Sequence, residues 1–267
     1  MSDPNKGSGW GISHTPFGDV RNYNPKEFGG NSGTHSGNNG TNGGKQPGTG
    51  AYSGRFNMGA FSADAPGIDG DELKLIFDNT VRWEGLSHNM YADSEGNVTV
   101  GIGTLLSSPE DATKLGFHNR RTTRAHGDEL VGYSPASEDD IRGNYQMVKD
   151  VYHNKSLSYR QQVAEWSGSA MVLTDNEIGS MAVKHINRDR ANLQGLYAGF
   201  NSFPQSVKVA LHDMAYNMGI SKLRNHFPHF NDAINRRDWA AAAAQSHRKD
   251  IGDDRNNETR EQLLRAR

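Results

Sequence analysis

The 267-residue sequence predicts an α+β domain, mostly helical with little sheet, over residues 69–267. A disordered Gly/Asn-rich arm over 1–50 and a linker over 51–68 precede it. Three observations lead there. Of the 31 glycines, 17 lie in residues 1–70, while no leucine occurs before Leu73, so the chain changes character near residue 70. Beyond that point, capping residues open several stretches whose apolar side chains recur at helical spacing. One short stretch instead alternates, Val98, Val100 and Ile102 against Thr99, Gly101 and Gly103, as a strand does.

Residues 1–50 hold only seven apolar side chains, too few to offset the entropy of ordering so many glycines. Runs such as Asn38-Asn39-Gly40-Thr41-Asn42-Gly43-Gly44 read as an unfolded arm. Residues 51–68, with Tyr52, Phe56, Met58, Phe61 and Pro66, are expected to dock on the domain or to contact a receptor. Asp69 can cap the first helix, with Glu72 three residues on as in a capping box, and Leu73, Ile76, Phe77 and Val81 follow on one face. That helix ends at Trp83-Glu84-Gly85. Turn residues Asp93-Ser94-Glu95-Gly96-Asn97 then separate two extended pieces, a hairpin signature.

From Pro109 to about Gly168 the sequence is mixed, with Ser137-Glu138-Asp139-Asp140 opening a helix through Val148 and Tyr152. Thr174-Asp175-Asn176-Glu177 is a clean capping box, followed by Ile178, Met181, Ala182, His185 and Ile186 on one face. Pro204 fits the first turn of a helix carrying Val207, Ala210, Leu211, Met214 and Met218, closed by Gly219. Two or three further helices are expected around Phe230–Arg236, Asp238–Ser246 and Asn257–Arg265.

With 29 basic and 31 acidic side chains the net charge is −2, which argues against a nucleic-acid partner. No stretch is apolar enough for a membrane span or a secretory signal, so synthesis in the cytosol without a signal peptide is expected. Cysteine is absent, which excludes disulfides, thiol catalysis and thiolate metal sites. There is no HExxH pattern, His226 and His229 flank a proline and read as surface residues, and neither metal nor cofactor is expected.

The segment from the first helix to the hairpin carries the chemistry. Glu84 stands at a helix end, Asp93 nine residues later on the hairpin, and Thr99 six residues further on. Two carboxyls facing a groove suit glycosidic cleavage: one donates a proton to the leaving oxygen, and the other holds a water or stabilises the oxocarbenium-like transition state. By spacing alone, a helix terminus beside a solvated turn explains the same residues.

The frame around them adds information. Glu84-Gly85-Leu86, Tyr91-Ala92-Asp93, Gly96 and Thr99-Val100-Gly101-Ile102-Gly103 resemble the active-site helix and hairpin of the phage-type lysozymes, glycoside hydrolase family 24. The run Ala210-Leu211-His212-Asp213-Met214-Ala215-Tyr216-Asn217-Met218-Gly219 resembles the buried central helix of that family's second lobe. The resemblance implies a two-lobed phage-lysozyme-like domain that cleaves the β-1,4 bond between N-acetylmuramic acid and N-acetylglucosamine in peptidoglycan glycan strands. Glu84 would be the general acid, with Asp93 and Thr99 holding water on the opposite face, the inverting arrangement. Gly103, Leu105, Tyr216 and Arg255 would line the substrate cleft, Arg255 pairing with Glu84. Two features depart from the pattern: the midsection, about 107–203, is enlarged, and Thr104 stands where many members have histidine. The long midsection and the ending Asp253-Asp254-Arg255-Asn256 look more like the pesticin-type branch of bacterial toxins.

A wall-cleaving enzyme also needs delivery. The arm resembles the translocation regions of colicins and klebicins, and Ser8, Gly9 and Trp10 look like the short motif with which several engage the Tol proteins. A lone Trp in a flexible segment is a ready anchor for a partner's pocket. The implied protein is a monomeric bacteriocin, released to the exterior and acting in the periplasm of a competing Gram-negative cell. Its partners would be an outer-membrane receptor, the Tol or TonB import machinery, and a cognate immunity protein. A phage endolysin, or a contact-dependent secretion-system effector, is the alternative with the same chemistry.

Overall fold

In the computed structural model, which describes residues 56, 58–125, 128–249 and 251–266, helices dominate and two small antiparallel three-stranded sheets complete the fold. The expected arm over 1–50, with Ser8, Gly9 and Trp10, lies outside the described residues. A 3-10 segment, Met58–Asp64, precedes the first helix and buries Phe61, while Phe56 meets the ring of Phe77 edge-on at 4.9 Å.

Helix α1, Gly70–Glu84, starts where Asp69 accepts hydrogen bonds from the amides of Asp71 and Glu72. The expected second half of that capping box does not form. Glu72 instead takes the Lys208 ammonium at 2.6 Å, a buried ion pair between two helices. Strands β1 (Ser87–Ala92), β2 (Val98–Gly101) and β3 (Thr104–Leu105) follow as one antiparallel sheet in that order. Its register sets Thr99 between Tyr91 and Leu105.

After α2 (Pro109–Thr113) comes a hairpin with no counterpart in the sequence reading. Strands β4 (His118–Ala125) and β5 (Asp128–Pro135) pair from His118 and Pro135 at the base to Ala125 and Asp128 at the tip. Only the base is anchored to a third strand, β6 (Met171–Val172), which pairs with His118 and Asn119. Helix α3, Glu138–His153, opens where expected, with a capping box between Ser137 and Asp140, and α4 spans Tyr159–Gly168.

Helix α5, Asp175–Leu196, begins at the Thr174–Glu177 capping box and joins two separate cores. Its first half gives Ile178, Val183 and Ile186 to a core shared with α1, the first sheet, α3 and Trp166 of α4. Its last turns give Leu193 to a second core of C-terminal helices. Fully burying each large apolar side chain contributes about 1.5–3 kcal/mol, so both cores draw on the same helix for stability.

Helix α6, Gln205–Met218, is buried on every side from Val207 to Ala215. Pro204 occupies its N-cap, one residue ahead of the expected first-turn position. Helices α7 (Ile220–His226), α8 (Pro228–Asn235), α9 (Trp239–Ala244) and α10 (Asp253–Leu264) complete the described chain. Sequence reading did not foresee α7, and α10 starts at Asp253 rather than near Asn257, with two carboxylates in the first turn where the helix dipole favours them. No helix among the described residues is long and apolar enough to cross a membrane.

Three polar residues interrupt the buried run of α6: Lys208, His212 and Asp213. Burial, only partly offset by the Asp189 carboxylate, pushes the His212 imidazole down to about 4. An unfolded histidine titrates at ~6.5, so the fold loses nothing to this group above that pH and loses stability through it as pH falls toward the folded value. The thermal midpoint is expected to drop over that window, by a stability loss on the order of 3 kcal/mol, and to drop less in His212→Gln.

Candidate active site

Glu84 is the last residue of α1, so its side chain leaves the helix where Gly85 turns the chain toward the sheet. Carboxylate oxygen Oε1 accepts from Nη2 of Arg255 at 2.7 Å. The other oxygen faces Gly103, on the turn between β2 and β3. A Cβ at Gly103 would lie 3.4 Å from Glu84 Oε2 and 3.8 Å from the Tyr216 ring, and the φ of +68° disfavours any L side chain there. Gly103→Ala is therefore expected to lose about 1–2 kcal/mol in urea denaturation, the cost of left-handed backbone, while its methyl makes only ordinary contact with the Glu84 carboxylate.

Tyr216 holds that turn from the other side. Its hydroxyl donates to the carbonyl of Ile102, and its ring stacks on His185 at 4.2 Å. Burial, then the nearby Glu84 and Asp189 carboxylates, raise its pKa well above the ordinary phenol range, so it remains a neutral donor. Glu84, Gly103, Tyr216 and Arg255 thus meet directly, although they come from four different places in the chain.

Arg255, in the first turn of α10, is buried and bound on two sides. Its Nε donates to Asp213 Oδ1 at 2.9 Å, and Asp213 Oδ2 takes Arg248 Nη2 at 2.7 Å and the Thr259 hydroxyl at 3.0 Å. Burial alone would raise the Asp213 pKa, but the Arg255 and Arg248 guanidiniums overcome it and hold the carboxyl below its usual range. Burial likewise works against charge on Arg255, and Asp213 with Glu84 reverses that, leaving the guanidinium more firmly protonated than usual.

Asp93 ends the β1 side of the hairpin, and its carboxylate organises the turn. Oδ1 accepts from the amides of Glu95 and Asn97 at 2.9 and 2.8 Å, and Oδ2 from Asn97 Nδ2 at 3.1 Å. Helix α3 grips the same tip, with Lys149 Nζ on the Gly96 carbonyl at 2.9 Å and the Tyr152 hydroxyl on that of Ser94 at 3.2 Å. A carboxylate accepts about four hydrogen bonds, which leaves Asp93 room for a water. Thr99 donates to the Asn97 carbonyl at 3.3 Å and keeps its hydroxyl acceptors for another partner.

Cross-strand partners share a face of the sheet, so Tyr91, Thr99 and Leu105 lie in one row. Burial, then Glu84, then Asp93, push the Tyr91 hydroxyl far above its ordinary range. Leu105, 55% exposed, is the row's apolar outer edge.

Sequence reasoning missed Asp213, Arg248, Thr259 and His185. Asp213 was findable: a carboxylate inside an otherwise apolar helix is rarely buried without a cationic partner. Among the described residues, no group of three or more histidine and carboxylate side chains could hold a metal ion. No family model and no curated protein matches the sequence.

Proposed function

We propose that the chain is a muramidase of phage-lysozyme-like architecture, hydrolysing the β-1,4 bond between N-acetylmuramic acid and N-acetylglucosamine with inversion. The observation that carries this reading is Glu84 itself: a carboxylate at a helix end, held by one buried guanidinium and backed by the Gly103 turn. The sheet that follows α1 carries a second carboxylate, Asp93, on its first turn and a hydroxyl, Thr99, on β2. Glu84 gives its proton to the bridging oxygen as the glycosidic bond breaks. Water, held by Asp93 and Thr99, adds to the anomeric carbon from the opposite face and releases its proton to Asp93. Arg255 stabilises the Glu84 carboxylate left behind, and exchange with solvent restores both groups. No metal or organic cofactor enters these steps.

Residues 1–50 are the delivery device in this proposal. The chain is a bacteriocin whose arm, with Ser8, Gly9 and Trp10, carries the enzyme through an outer-membrane receptor and the Tol or TonB machinery into the periplasm of a rival cell. A cognate immunity protein protects the producer. The test adds purified protein to intact Gram-negative cells and to isolated murein. Full-length protein is expected to kill cells and to release new reducing ends from murein; deletion of residues 1–50 is expected to abolish killing and spare murein cleavage. Killing by the deleted form would point to the phage-endolysin or secretion-effector route, and inert full-length protein on murein would remove the muramidase reading.

A further inference from the structure

Asp213 has no place in the chemistry above, yet one nitrogen atom ties it to Glu84. Nη2 of Arg255 stands 2.8 Å from Asp213 Oδ1 and 2.7 Å from Glu84 Oε1, so two carboxylates share a single N–H-bearing nitrogen. On its far side Asp213 binds Arg248, with Nη2 2.7 Å from Oδ2. The side chains of Asp213, Arg248 and Arg255 are 2%, 4% and 8% exposed, against 22% for Glu84. A file of alternating charges therefore runs outward from the interior: Arg248, Asp213, Arg255, Glu84.

Charges this far out of water influence one another more strongly than on a surface. The inner three are locked, since guanidiniums do not deprotonate in proteins and Asp213 lies between two of them. Glu84, at the open end, is the member most open to solvent. Among the described residues the Tyr91 hydroxyl from β1, the Tyr216 hydroxyl from α6 and Glu258, which pairs with Arg82 at 2.7 Å, also interact electrostatically with members of this file. Both phenols stay neutral across the acidic and neutral range.

We infer that Asp213 is a positioning residue that sets how readily Glu84 takes up a proton, by drawing part of the Arg255 charge to itself. With Asp213 neutral, Arg255 would have Glu84 as its sole carboxylate and would hold it ionised, a poor proton donor. With Arg248 removed, Asp213 would lean wholly on Arg255 and free Glu84 further. The catalytic meaning of this control rests on the general-acid role proposed for Glu84; its electrostatics do not.

The test is a carbon-13 NMR titration of the full chain labelled at glutamate, with the Glu84 carboxyl signal identified by its loss in Glu84→Gln, which also separates it from Glu258. Asp213→Asn is expected to lower the Glu84 midpoint by about one pH unit, and Arg248→Met to raise it by about half a unit or more. The alkaline limb of murein hydrolysis is expected to move the same way in each. General damage to the fold would not shift two variants in opposite directions. Unmoved midpoints, or shifts of the same sign, overturn the inference. If Asp213→Asn does not fold, Arg248→Met decides, because Arg255 and Thr259 still hold the Asp213 carboxylate. Opposite shifts in a protein that leaves murein intact would uphold the inference and sink the muramidase reading instead.

Discussion

Glu84→Gln is expected to slow the proposed murein hydrolysis by about 100- to 10,000-fold, the range over which a positioned general acid acts. The amide cannot give up a proton to the leaving oxygen, but it still offers Arg255 a carbonyl oxygen at the same place. Glu84 is also partly open to solvent, so its amide group finds partners without disturbing the core. The variant should therefore keep its circular dichroism and come close to the wild-type urea midpoint. Release of reducing ends from purified murein is the measurement. Turnover within a few-fold of wild type would remove Glu84 from the acid role, whereas lost turnover with lost fold would make it a structural residue.

Arg255→Met is expected to have the largest effect on stability, a loss of about 3–5 kcal/mol in urea denaturation. The substitution keeps the aliphatic stem and removes the group that neutralises Asp213 from the Glu84 side. Asp213 would keep Arg248 and Thr259, but two of its contacts, at 2.9 and 2.8 Å, would vanish from a site with almost no access to water. Breaking a buried pair costs far more than breaking a surface one, because the remaining charge stays desolvated. Arg255→Lys should fall between the two: it restores the charge, but a single ammonium lacks the planar fork that reaches Asp213 and Glu84 together. A loss below about 1 kcal/mol for the methionine variant would mean that water reaches Asp213 and that the cluster is not a buried one.

What was legible beforehand follows from the range of the forces involved. Asp69, Ser137 and Thr174 announce α1, α3 and α5 because a cap satisfies amides two or three residues away, all within the same short stretch of sequence. The first hairpin is equally local, since Asp93 binds the amides of Glu95 and Asn97 within its own turn. The ribbon of β4 and β5 left no such mark. Its strand His118-Asn119-Arg120-Arg121-Thr122 has no alternating apolar row, because a two-stranded ribbon anchored only at its base need not turn a face to a core. Helix α7 and the early start of α10 were hidden for a related reason: short helices with few apolar residues carry too little period to register.

At the candidate site the division is the same. Local sequence marks Glu84 as a helix end, Asp93 as a turn residue and Thr99 as a strand residue, and composition separates the first 70 residues from the rest. Sequence by itself determined these elements because caps, turns and periodicity act over about four residues. Only the tertiary structure decided the partners: Glu72 with Lys208 across 136 positions, Arg255 with Glu84 across 171, and Asp213 with both Arg248 and Arg255. A charge can be buried only when its counter-charge is buried with it, and which counter-charge arrives depends on how α1, α6 and α10 close on one another.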